Sequence, residues 1–71
     1  MYQVEQTYDR EPPVVVTEIL DDEAQARLVY EHFQMVADHH QKKYQTSSTV
    51  ILTGPDLQPE IYQTKEGEDG G

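Results

Sequence analysis

Along YQVEQTY, Tyr2, Val4 and Tyr8 alternate with Gln3, Glu5 and Thr7, the period-two spacing of a strand with one covered and one open face. Asp9-Arg10-Glu11-Pro12-Pro13 ends the run, because neither proline can donate to a ladder and each biases its predecessor away from helix. Val14 to Leu20 is apolar and β-branched apart from Thr17 and Glu18, which predicts a second strand whose centre is covered on at least one face. Thr49 to Thr53 reads as a third strand and Glu60 to Thr64 as a fourth. Gly54-Pro55-Asp56-Leu57-Gln58-Pro59 between them has the glycine and prolines of a hairpin loop.

Between the second and third strands the period changes from two to 3.6. Ala26, Val29, Tyr30, Phe33, Val36, Ala37, His40 and Tyr44 fall within a sector of about 120° on a helical wheel, the width of a core-facing stripe. The spacing predicts one helix from Asp22 to about Tyr44, with Tyr30, Phe33 and Tyr44 as core aromatics and Phe33 buried on the sheet. Asp22 is a good N-cap with Gln25 at N3, and the carboxylates of Glu18, Asp21, Asp22 and Glu23 complement the positive end of the helix dipole. Lys42 and Lys43 suit the last turn, and Gln45-Thr46-Ser47-Ser48 supplies the exit. The order is ββαββ. It predicts an α+β fold, a small antiparallel sheet with one long helix packed on one face, in a single domain over residues 1–64. Residues 65–71, KEGEDGG, contain no apolar side chain and are expected to form a disordered acidic tail.

A second stripe, Leu28, His32, Met35 and His39, points away from the first. One helix cannot press both faces on one sheet. Leu28 and Met35 are therefore expected to stand exposed between two histidines, an arrangement suited to a partner helix or to a second copy of the chain as a homodimer.

Charge changes this picture. Fourteen carboxylates against five Lys or Arg leave a net charge of −9, which disfavours direct nucleic-acid binding, since that depends on cations replacing counterions at phosphate. Such a chain is steered instead toward a basic protein surface, the alternative being that the acidity serves solubility alone. Carboxylates at Glu5, Glu11, Glu18, Asp21, Asp22 and Glu23, with Asp9 and Asp38, are placed to stand in for phosphates there. The N-terminus shows no secretory pattern, and the longest apolar run, Val14 to Val16, is far too short to cross a bilayer. These features predict a soluble cytoplasmic protein with no membrane partner.

Candidate chemistry is sparse. Cysteine is absent, which removes disulfides, thiolate zinc sites and a cysteine nucleophile. His32 and His39 are seven residues apart, about 10 Å along a helix, too far for one ion to be chelated within it. There is no G-x-S-x-G elbow and no Gly-rich phosphate loop, so the expectation is a non-enzymatic protein with no metal and no cofactor. Length, acidity, lack of cysteine and the ββαββ order together resemble small accessory proteins of bacteriophages and mobile elements, including anti-CRISPR and anti-restriction inhibitors. That resemblance is one of type, rests on no motif and assigns no residue. It implies an inhibitor that occupies the nucleic-acid-binding surface of a host CRISPR-Cas or restriction protein. Two alternatives stand beside it: an oligomeric sponge for a small nucleotide signal, for which Arg10, Arg27, Lys42, Lys43 and Lys65 are the available cations, and a virion or assembly protein.

Overall fold

A computed structural model describes residues 1–64; the expected tail at 65–71 lies outside the described residues. Strands β1 (Tyr2–Tyr8), β2 (Val14–Leu20), β3 (Ser48–Gly54) and β4 (Leu57–Thr64) and helix α1 (Glu23–Tyr44) follow the order ββαββ. The strands form one antiparallel sheet in the order β2-β1-β3-β4, so the N-terminal strand is internal and β2 and β4 are the edges.

Register follows from the alternation in β1. Val4 lies between Glu18 of β2 and Leu52 of β3, and Gln6 between Val16 and Val50. Val4, Gln6, Val50 and Leu52 are all buried beneath the helix. Above them the helix contributes Ala26, Tyr30 and Ala37, and the two alanines, both fully buried, let its backbone approach the sheet closely. The core consists of these few side chains with Tyr2, Leu20, Val29, Phe33, Leu57 and Tyr62 packed around them. On the other side of the sheet Glu5 lies between Thr17 and Ile51. It is the one charged residue that alternation places on that open face among the described strands.

Asp22 occupies the N-cap in extended conformation, but its side chain makes no capping bond. Its carbonyl accepts the Ala26 amide at 2.9 Å, and its carboxylate serves the helix only through the dipole. At the other end Gln45 takes the left-handed conformation, φ 57°, and its amide donates to the Gln41 carbonyl. This is the turn that ends a helix when the chain must reverse.

Four expectations are corrected. The hairpin loop shrinks to Pro55-Asp56, and β4 begins at Leu57 rather than at Glu60. Pro59 is accommodated because β4 is an edge, where a missing amide need not break a ladder. Tyr44 is no core aromatic and is 56% exposed. The reason is length: 22 helical residues span about 33 Å, whereas a seven-residue strand spans roughly 23 Å, so the last helical turn projects past the sheet. Phe33 is half-buried at the core margin rather than enclosed. The centre of β2 is not covered either, since Val15 and Val16 are 54% and 40% exposed. Lateral placement explains both, because the helix lies chiefly over β3 and β1 and covers β2 less.

Candidate functional site

The uncovered strip beside β2 forms an apolar groove. Val16 and Glu18 supply one wall from the helix-facing side of β2, and Leu28, Val29, His32 and Phe33 supply the other from the flank of α1. Its volume is about 430 Å³, and among the described residues Glu18 and His32 are its ionisable side chains. The α1 stripe expected to be exposed borders it. Leu28 and Met35 are 66% and 67% exposed, and His32 and His39 are also at the surface. Exposed apolar side chains therefore continue from β2 across the groove and onto the outer helix face.

The opposite flank of α1 is polar and tied down. Arg27 donates to Glu23 one helical turn earlier and to Glu60 of β4, both at 3.1 Å. These hydrogen bonds, first Glu23 and then Glu60, raise the guanidinium pKa above its ordinary value. Further along, the Tyr62 hydroxyl donates to Asp38 Oδ1 at 2.6 Å. That bond, reinforced by partial burial and by the negative charge of Asp38, raises the phenol pKa. Two polar links thus fasten α1 to β4 while its β2 flank is open.

The acidic residues do not make one row. Glu5 projects from the open sheet face and Glu18 from the helix-facing side, because Glu5 pairs with Thr17 and Val4 with Glu18. Glu11 precedes β2 and Asp21 follows it, which separates them by roughly the 23 Å length of the strand. Glu23 is engaged by Arg27. What the fold does gather is Glu18, Asp21, Asp22 and Glu23 near the helix N-terminus, at the end of the sheet where β2 finishes. The far end is different in character. Arg10, Lys42 and Lys43 lie there, together with a ring cluster in which His40 meets Tyr8 at 4.7 Å and Tyr44 at 5.1 Å between centroids. Lys43 lies 5.4 Å from the Tyr44 ring centre, within cation–π range.

Among the described residues no group of three or more His, Asp or Glu side chains is placed to hold a metal ion, and no helix is long and apolar enough to cross a membrane. Sequence reasoning located the Leu28–His32–Met35–His39 stripe but missed Val16, Val29 and Phe33 as groove residues. Periodicity assigns a residue to a face and is silent on how far that face extends beyond its cover. No family model, curated protein or solved structure matches the chain.

Proposed function

We propose that this protein is a non-enzymatic inhibitor that binds a protein partner through the β2–α1 groove and the adjoining helix stripe, with its acidic end against a basic surface of that partner. The observation that carries the reading is the groove itself. An apolar strip rimmed by Glu18 and running onto exposed Leu28 and Met35 is the kind of surface that receives an apolar segment of another protein. The net charge of −9 adds steering, and the carboxylates of Glu18, Asp21 and Asp22 near one end of the groove direct it. Basic surfaces are characteristic of proteins that handle nucleic acid. The resemblance to inhibitors of phages and mobile elements implies, within that class, a cytoplasmic CRISPR-Cas or restriction component of a phage host, blocked by occupation of its nucleic-acid site.

Leu28→Glu with Met35→Glu tests the reading, because both side chains are exposed and the fold does not depend on them. Affinity capture from bacterial lysate is expected to yield a partner with the native chain and to lose it with the double variant, with an unchanged circular dichroism spectrum. Duplex DNA or RNA added to the captured complex is expected to compete. A partner retained by the double variant, or one that holds nucleic acid and this protein together, rules the reading out.

A further inference from the structure

We propose that the β2–α1 groove receives an amphipathic helix of the partner protein, laid antiparallel to α1, with Lys or Arg in its last turn against Glu18, Asp21 and Asp22. The inference rests on the groove being a partner site and names what enters it. Four strands at a spacing of about 4.8 Å make a sheet roughly 19 Å wide. Packed helices lie about 8–10 Å apart, so one face of such a sheet has room for two helices side by side. α1 takes one place, chiefly over β3 and β1. A second helix at packing distance on the other flank lies along β2, whose residues facing that layer, Val14, Val16 and Glu18, are exposed.

The walls suit a helix with one apolar face. Leu28, Val29, His32 and Phe33 follow one flank of α1 opposite Val16, and their helical spacing leaves gaps into which the i, i+3, i+4 and i+7 side chains of a second helix fit. Eleven residues beyond His32, exposed Lys43 returns to this flank. It lies about 23 Å from Leu28 along the axis, the length of about four helical turns.

Charge decides the occupant and its direction. Glu18 stands in the apolar wall and makes no ion pair among the described residues. A covering segment with no cation at that point would bury a lone carboxylate, which is costly. Asp21 and Asp22 continue the negative end beyond β2. At the other end Lys42, Lys43 and Arg10 outnumber Asp9 and Glu11. Any helix favours Asp or Glu in its first turn and Lys or Arg in its last, and only the antiparallel direction brings both sets of charges to their opposites here. α1 has the same order of end charges, but its continuous apolar face is taken up by its own sheet, and two chains of net charge −9 repel. The occupant is therefore a helix of another protein.

Fluorescence anisotropy with labelled synthetic peptides of about sixteen residues tests this. The probe carries Leu at i, i+3, i+4 and i+7 spacing, Glu in its first turn and Arg in its last; the control has the same composition with the end charges exchanged. The native chain is expected to bind the probe about tenfold more tightly than the control. Asp21→Lys with Asp22→Lys and Lys43→Glu, all at exposed positions, is expected to reverse that preference with an unchanged circular dichroism spectrum. A probe interrupted by a central proline, which breaks a helix, is expected to lose binding, as is the intact probe on Leu28→Glu. No binding of the probe at millimolar concentration, or equal affinity for the two charge orders, overturns the inference. Undiminished binding of the proline peptide overturns it in favour of an extended segment, and a native dimer abolished by Leu28→Glu overturns it in favour of a second copy. If the peptides fail while lysate capture still depends on Leu28 and Met35, the partner site stands without a helix in it. Charge-ordered peptide binding with no captured partner has the converse meaning.

Discussion

Gln6 is 2% exposed between Val16 and Val50, and its amide nitrogen has no hydrogen-bond partner. An uncompensated buried amide costs about 1–3 kcal/mol in proteins, a large fraction of what a small domain has to spare. Gln6→Leu keeps the volume and removes the unsatisfied donor. It is expected to raise unfolding free energy by about 1–2 kcal/mol and the melting temperature by several degrees, measured by thermal denaturation. An unchanged melting temperature would show that the amide is already solvated. Gly54 makes the opposite point about a small residue. A Cβ there would meet the ring of its cross-strand neighbour Tyr2, with Cε2 at 2.7 Å, so the absence of a side chain is what lets the ring cover this end of β3.

Between elements, the Tyr62–Asp38 bond joins β4 to α1, and its pH dependence has a defined sign. Folding raises the Tyr62 pKa above 10.0, so the neutral phenol is favoured in the native state. The stabilisation is complete below the unfolded value near pH 10 and is lost as pH rises through the higher folded value. Melting temperature is expected to fall above pH 10 in the native chain and to fall less in Tyr62→Phe, where this titration is missing. Parallel pH profiles for the two proteins would show that the bond does not contribute in solution. Arg27–Glu60 is a second polar link between the same two elements.

For the whole molecule, the net charge of −9 sets how partner binding responds to salt. Docking on a basic surface is expected to weaken as the Debye length shortens to about 8 Å at 0.15 M, mainly through slower association. A kinetic binding series across salt concentrations checks the sign, and an association rate that does not change with salt would mean that charge does not steer the contact.

The element order, the helix from its N-cap at Asp22 to Tyr44, the inward placement of Val4, Ala26, Tyr30 and Ala37, and the exposure of Leu28 and Met35 were all legible in the chain, because each depends on a period of two or 3.6 residues or on a local cap. The strand order was not. Alternation tells which side chains share a face, but the same pattern fits a central strand and an edge strand, so Val14–Leu20 looked covered when it is the rim of the sheet. Nor does periodicity fix where a helix sits laterally or how far it overhangs, which is why Tyr44 and Phe33 were expected inside and the groove at Val16, Val29 and Phe33 was missed. Those features follow from how α1 packs across the whole sheet, chiefly over β3 and β1, a balance of burial that no local stretch of sequence contains.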